Sequence, residues 1–194
     1  MTVEDRRGEL LDVALRVFAE RGVEETSMKT LALEAGVSSA LFYHYFRSKE
    51  EILSQALVGR GVSMHVASLL SDVGDRPASE VLPHLAAGLD RVMHERRHLV
   101  WLFLREAQTR ECVRKRMDEE REKSLALLAG YLEGRVRAGE LRPHDSRAVG
   151  TLLLSTLFMQ QLRPTVVPGL VAALTDVLLH GLLQVHESGE DHSS

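Results

Sequence analysis

The chain has 194 residues, of which 44% are hydrophobic and 5% aromatic, and its formal net charge is −4 at pH 7. This length and apolar content are sufficient for a buried core, which excludes a mainly disordered chain. The negative charge does not by itself favour a nucleic-acid-binding protein. The one cysteine, Cys112, excludes an internal disulfide and is typical of a reducing compartment, so we expect a cytoplasmic protein.

The first predicted helix runs from about Asp5 to Arg21. Leu10, Ala14 and Phe18 recur at helical spacing and mark one apolar face. Gly22 follows directly, and glycine readily adopts the left-handed conformation with which many helices end. We expect this helix to brace the segment that follows it.

Two short helices joined by a tight turn are predicted next. The first follows Thr26 or Ser27, either of which can accept a hydrogen bond from an unpaired backbone N–H of the opening turn, and it ends at Gly36. The second follows Ser38, another N-cap candidate, and reaches about Tyr45. Helix, glycine turn and helix form a helix-turn-helix, which can place its second helix in the major groove of DNA.

A third helix is predicted to begin at Ser48, because Ser48 and Glu51 form the S-x-x-E pattern of a capping box. Its apolar positions continue to about residue 71. We therefore expect a linking helix over about residues 49–71. Gly59 and Gly61 weaken its interior and allow it to bend.

The remaining sequence predicts a body of successive helices separated by glycine and proline. Its five helices are expected over about Ala78–His94, Leu99–Ala107, Thr109–Ala138, Asp145–Leu162 and Pro168–His186. The chain is thus predicted to be all-α, with a DNA-binding head over residues 1–48, a helical bundle over residues 49–186 and a disordered polar tail over residues 187–194. Its longest apolar run, of about twelve residues, is too short for a membrane span.

Many residues of the head occur in the order typical of one family. They are Phe18, Gly22, Thr26, Ala32, Ala35, Gly36, Val37, Ser38, Tyr43, Tyr45, Phe46, Lys49 and Leu53. On these residues the chain resembles the TetR family of bacterial transcriptional repressors. The resemblance implies a homodimer whose partners are a near-palindromic double-stranded DNA operator and a small, lipophilic effector. It implies no metal or other cofactor.

The resemblance also implies which residues bind DNA. The predicted set comprises Ser38, Ser39, Tyr43 and His44 for the major groove, Thr26, Tyr45 and Lys49 for phosphate, and Ser27 and Ala40 beside them. Three positions, Ser39, Ala40 and Leu41, differ from the lysine, glycine and threonine that are frequent in the family. The operator sequence therefore does not carry over from other members.

An effector site is expected in the body. The run over residues 99–104 is apolar around the whole helix, which predicts that this helix is enclosed on every side. Under the resemblance, the candidate pocket residues are Met93, Trp101, Met117, Tyr131, Phe158 and Met159, with His65, Arg105 and Gln108 as polar contacts. Core packing is the alternative role for each of these residues.

The last two predicted helices carry apolar residues at helical spacing. These residues are Leu152, Thr156, Met159, Val171, Leu174, Leu178 and Leu182. The resemblance implies that they pack against a second copy of the chain, and twofold dimers are the commonest homo-oligomers. A buried face within one subunit is the alternative.

Two other functional classes remain open from the sequence. Residues 94–98 match the H-E-x-x-H pattern of zinc hydrolases, in which His94 and His98 would bind the metal and Glu95 would act as the base. That chemistry requires one continuous helix, whereas the apolar phase shifts around Arg96 and predicts a helix end. The second alternative is a helical ligand-binding protein with a degenerate head, because residues 1–50 contain nine acidic and seven basic residues.

Overall fold

The computed structural model describes residues 3–71, 73–74 and 76–182. These residues form ten helices, namely α1 (Val3–Arg21), α2 (Met28–Glu34), α3 (Ser39–Tyr45), α4 (Lys49–Arg60), α5 (Val62–Ser71), α6 (Ala78–Glu95), α7 (Arg97–Thr109), α8 (Glu111–Arg137), α9 (Ser146–Gln161) and α10 (Leu170–Leu182). The all-α prediction is confirmed. The tail predicted over residues 187–194 lies outside the described residues. No helix in the described part of the chain has the length and apolar character needed to cross a membrane.

Serine and aspartate side chains begin four of these helices. Ser27, Ser38, Ser48 and Asp145 each accept a hydrogen bond from the backbone N–H three residues further on, at 3.0 to 3.2 Å. Each bond satisfies a donor that the first helical turn leaves unpaired. The predicted caps at Ser38 and Ser48 are confirmed, and Ser27 rather than Thr26 caps α2.

The turn between α2 and α3 depends on Gly36. Its φ is +66°, a left-handed conformation that is costly for residues with a Cβ atom. Two backbone bonds close the end of α2 here: Gly36 N–H donates to Leu33 O and Val37 N–H donates to Ala32 O, both at 3.0 Å. The chain therefore reverses sharply, and α3 packs against α2.

The linking element is two helices and not one continuous helix over about residues 49–71, and the break lies at Gly61, one of the two glycines expected to allow a bend. α4 ends at Arg60, Gly61 is extended with φ −64° and ψ 159°, and α5 begins at Val62. The carboxylate of Glu120, on α8, lies directly against Gly61 and accepts a hydrogen bond from the Ser63 hydroxyl at 2.5 Å. A partner distant in sequence thus occupies the space at the joint.

Two hydrophobic cores organise the described residues. The first joins α1–α4 to the body through Leu102, Phe103 and Val113, so the packing of the head does not end at residue 48. The second lies among α5, α6, α8, α9 and α10 and includes Leu85, Leu128 and others. The head is therefore seated on the body by apolar contacts with α7 and with the beginning of α8.

Candidate nucleic-acid interface and effector groove

Helix α3 has a buried side and an exposed side. Phe42 and Phe46 are fully buried and their ring centroids lie 5.5 Å apart, which anchors α3 in the head core. Ala40, Tyr43 and His44 are exposed on the opposite side, and Tyr43 retains 51% of its accessible surface. The helix therefore presents a free surface in the manner of a recognition helix.

The two capping serines lie where they can also meet a ligand. Ser27 and Ser38 are exposed at the starts of α2 and α3. Each uses its Oγ as an acceptor for a backbone N–H. Ser27 Oγ also shares a hydrogen bond with Thr30 Oγ1 at 2.8 Å, and Ser38 can still donate its hydroxyl proton to a ligand. Ser39, in the first turn of α3, is half-buried beside them.

Three residues predicted to contact phosphate differ in their surroundings. Thr26 is 1% exposed and its hydroxyl donates to Gly22 O at 2.7 Å, so this hydroxyl holds the α1–α2 loop and is wrongly placed for phosphate. Lys49 Nζ donates to Val23 O at 2.7 Å, which ties the start of α4 to the same loop. Tyr45 is half-buried, and its ring meets that of His44 edge-on at 5.4 Å.

Three exposed residues near α3 were missed by the sequence interpretation. Leu41 is partly exposed on α3 itself. Lys29 and Arg47 are exposed on α2 and directly after α3, and among the described residues their side chains have no ion-pair partner. Unpaired cations beside a recognition helix are suited to phosphate. Their positions next to the two helices of the helix-turn-helix were the available signal.

Three of the predicted effector residues meet in one groove between α1 and α7. The groove has a volume of about 440 Å³ and is lined by Ala19, His98, Trp101, Leu102, Leu104, Arg105 and Gln108. Trp101 is 47% exposed there, so the prediction that residues 99–104 are enclosed on every side is wrong. Leu102 and Phe103 face the head core, while Trp101 faces solvent.

The other predicted effector residues do not line this groove. Met93 belongs to the core of the body and Met117 packs against the head core. His65 Nδ1 lies 3.2 Å from Gly61 O, and Phe158 is half-buried on α9. Met159 is exposed. The spacing of these residues along the sequence did not indicate that they lie in different parts of the fold.

Tyr131 is the remaining predicted effector residue, and its hydroxyl is buried. This hydroxyl has no hydrogen-bond partner among the described residues. The Arg135 guanidinium lies 5.2 Å from the centre of the Tyr131 ring. Burial raises the pKa of Tyr131 above its usual value, so the hydroxyl keeps its proton at neutral pH.

The predicted dimer residues divide between two environments. Leu152 and Met159, on α9, are exposed, and Thr156 is half-buried between them. Val171, Leu174 and Leu178, on α10, are half-buried and pack against the core of their own subunit, which is the alternative role for them. The side chain of Leu182 lies outside the described residues. Val177 is the large apolar residue that α10 exposes instead.

The H-E-x-x-H pattern does not lie on one helix. α6 ends at Glu95 and α7 begins at Arg97, with Arg96 between them at φ −110° and ψ 20°. His94 and His98 therefore do not share the single helical face that the zinc-hydrolase site requires. The predicted helix end at this position is confirmed. Within residues 3–71, 73–74 and 76–182, no group of three or more His, Cys, Asp or Glu residues could hold a metal ion.

The chain is similar in sequence to known transcriptional regulators over part of its length. The family model described as bacterial regulatory proteins, tetR family, matches residues 10–56. Over 57 residues the chain is 47% identical to the HTH-type transcriptional repressor KstR2 of Mycobacterium tuberculosis, covering 29% of this chain and 28% of that protein. Over 114 residues it is 36% identical to the HTH-type transcriptional regulator BetI of Rhizobium meliloti, covering 57% and 56%. These matches span less than two thirds of either relative.

Similarity in fold extends over nearly the whole chain. The solved structure of the transcriptional regulator FadR from Bacillus subtilis in complex with stearoyl-CoA has a TM-score of 0.75 and 21% sequence identity. The comparison covers 92% of this chain and 99% of that one. At this identity the similarity establishes the arrangement of helices alone.

Proposed function

The chain belongs to the TetR family of bacterial transcriptional regulators, and on that premise we propose that it is a repressor that binds a DNA operator as a homodimer. A small effector releases it from the operator. It acts in the cytoplasm, where it performs regulation and no catalysis. The main support for this proposal is the position of α3, which is anchored by two buried phenylalanines and exposes its other side next to the exposed cations Lys29 and Arg47.

The exposed side of α3 indicates how operator sequence is read. Arginine and lysine pair with guanine, and asparagine and glutamine pair with adenine, but α3 contains none of these residues. Ser38, Ser39, Tyr43 and His44 instead supply hydrogen-bonding groups, while Ala40 and Leu41 supply apolar contacts suited to the methyl group of thymine. Ser27, Lys29, Tyr45, Arg47 and Lys49 surround this surface and are assigned to phosphate. Phosphate contacts fix the register, and base contacts discriminate sequence.

Selection of bound sequences from a random pool of duplexes tests the proposed function. We expect a near-palindrome to be enriched, because two symmetric heads read two symmetric half-sites about 34 Å apart or at a multiple of that distance. A protein that enriches no duplex at low salt would contradict the proposal and support the ligand-binding protein with a degenerate head.

Replacing Arg47 by alanine should weaken binding to all duplexes by a similar factor. The loss of one phosphate contact should also reduce the slope of log affinity against log salt concentration by about 1. Titrations of the variant at several salt concentrations, on the selected operator and on an unrelated duplex, measure both effects. Arg16→Ala is the matched control, since Arg16 is exposed on α1 and paired with Glu20 at 3.6 Å. An unchanged slope in Arg47→Ala would remove Arg47 from the phosphate set.

We assign the effector to the groove between α1 and α7. Trp101 and Leu104 offer apolar surface, and Arg105, His98 and Gln108 offer polar contacts. An effector with an apolar body and an acidic group suits this combination, and FadR, which shares the fold, was solved with stearoyl-CoA. Arg105 Nε donates to Glu106 Oε1 at 3.2 Å, and Glu106 is buried at the end of α7 that packs on the head. An acidic effector that binds Arg105 therefore breaks its hydrogen bond to Glu106 and disturbs the packing of α7 against the head.

Trp101 is the one tryptophan of the chain, so its fluorescence reports on the groove directly. Adding stearoyl-CoA as the probe should shift the emission to shorter wavelength, because an apolar ligand removes water from the exposed indole. Coenzyme A without the acyl chain should not produce the shift. Arg105→Ala should weaken the response about 10- to 150-fold in probe concentration, the range for loss of a charged hydrogen bond of ~1.5–3 kcal/mol. Equal responses in wild type and Arg105→Ala would contradict the groove as the effector site.

We assign dimerisation to the exposed apolar side of α9 together with Val177 of α10. Leu152→Glu should make the protein monomeric at micromolar concentration, because a buried interface cannot accommodate an unpaired charge. Sedimentation velocity measures the change, and operator affinity should fall with it. Leu127→Glu is the matched control, since Leu127 is an exposed leucine on α8. A Leu152→Glu protein that remains dimeric would place the interface elsewhere.

A further inference from the structure

Arg110 lies at the junction between α7 and α8 and contacts three carboxylates from three parts of the chain. Its backbone is extended, with φ −114° and ψ 106°, and its side chain is 14% exposed. Nε donates to Glu106 Oε2, on α7, at 2.9 Å. The two terminal nitrogens donate to Glu50, in the first turn of α4, and to Glu24, in the α1–α2 loop. We call this group, Arg110 with Glu24, Glu50 and Glu106, the clasp.

The clasp holds both flanks of the helix-turn-helix. Glu24 precedes α2, and Glu50 follows α3. One guanidinium of the body therefore binds the segment before the helix-turn-helix and the segment after it. Lys49 Nζ joins these two flanks through its bond to Val23 O at 2.7 Å. The orientation of α3 relative to the body is therefore constrained at both ends by polar contacts, in addition to the apolar contacts of the head with Leu102, Phe103 and Val113.

The geometry of the clasp requires arginine. A guanidinium is planar and has five N–H donors in a fixed arrangement, so it can serve several carboxylates at once, whereas the lysine ammonium is a compact charge on a flexible stem. Burial opposes the charge of Arg110, but the bond to Glu106 and the charges of Glu24 and Glu50 outweigh it and raise the pKa of Arg110. A backbone hydrogen bond and the nearby Arg110 lower the pKa of Glu50. Arg110 and Glu50 are therefore ionised at neutral pH.

We propose that Arg110 is a positioning residue that sets the separation of the two recognition helices in the dimer, and with it the spacing between operator half-sites. This role rests on the proposed function. A dimer reads both half-sites only when its heads match their separation, and one added base pair moves and rotates a half-site relative to its mate. A head held at both flanks tolerates one spacing. A head held by apolar contacts alone tolerates several half-site spacings.

The test measures how affinity depends on the spacing between half-sites, starting from the operator that the wild-type protein selects. Duplexes with zero, one or two base pairs added or removed between the half-sites are titrated with wild type, Arg110→Ala, Arg110→Lys and the double variant Glu24→Gln/Glu50→Gln. The double variant leaves the body contact between Arg110 and Glu106 intact, so it preserves the fold if Arg110→Ala does not. Arg114→Ala is the matched control, because Arg114 is an exposed arginine of α8 whose guanidinium contacts Ala107 O within the body.

Wild type and Arg114→Ala should lose about tenfold or more in affinity when one base pair is inserted, comparable to the loss of one read base pair. The three clasp variants should lose less than about threefold, with the base preference within each half-site unchanged. Reduced folding alone lowers affinity by the same factor at every spacing, so it does not produce this flattened profile. A clasp variant with the wild-type profile overturns the role of Arg110 while leaving the proposed function standing. A wild-type protein that selects no duplex overturns both.

Discussion

Phe42→Ala is expected to lower the free energy of unfolding by about 3–5 kcal/mol, the usual cost of removing a buried phenylalanine ring. Phe42 is fully buried in the head core and pairs with Phe46, so the deletion leaves a cavity under α3. A domain of ordinary stability has only about 5–15 kcal/mol to lose. The recognition helix should therefore lose its fixed position, and operator binding should fall with it. Urea denaturation followed by circular dichroism measures the stability change.

Tyr43→Ala is the matched control for this prediction. The two residues are adjacent on α3 and both carry an aromatic ring, but Tyr43 is exposed. Its replacement should change stability by less than about 0.5 kcal/mol while reducing operator affinity and base preference. The pair therefore separates the anchoring side of α3 from its reading side. A Phe42→Ala protein that loses less than about 1 kcal/mol would show that the ring does not hold α3 in place.

Local sequence signals predicted the head well because each depends on neighbours in the chain. A serine before a helix caps it with a backbone N–H three residues away, and Gly36 closes α2 through bonds within the same turn. The end of α6 near Arg96 was predicted for the same reason, from a shift in the apolar pattern. These interactions span only a few residues, so the sequence contains both partners side by side.

Features that depend on distant partners were predicted only in part: a bend was expected at Gly59 and Gly61, but the side chain that packs against this joint was not. The break at Gly61 is accompanied by the carboxylate of Glu120, and Arg110 gathers carboxylates separated from it by as many as 86 residues. Helical spacing also did not reveal which side of α7 or α10 faces solvent, since Trp101 and Leu174 both read as apolar positions. Their different environments follow from how the helices pack on α1 and on the body core.

Gly61→Ala is expected to destabilise the protein by about 1–3 kcal/mol, although the backbone alone predicts the opposite sign. At φ −64° and ψ 159° an alanine is unstrained, and such a replacement usually stabilises by about 0.4–1 kcal/mol through the unfolded chain. A Cβ atom here, however, would overlap the Glu120 carboxylate and lie 2.6 Å from Leu57 O. The carboxylate is held by Ser63 at 2.5 Å and Lys123 at 3.0 Å, so it cannot withdraw without breaking these bonds. The steric cost therefore exceeds the entropic gain.

Thermal and urea unfolding of Gly61→Ala measure this balance, with Gly130→Ala as the matched control. Gly130 lies inside α8, and a Cβ there meets no atom within 4 Å, so alanine should stabilise by up to about 1 kcal/mol. Adding Glu120→Ala to Gly61→Ala should recover part of the lost stability, because it removes one of the two overlaps. If Gly61→Ala instead proves as stable as Gly130→Ala, the close contact with Glu120 does not constrain the joint. Because this joint connects the head to α5, we expect the destabilised variant to bind the operator more weakly as well.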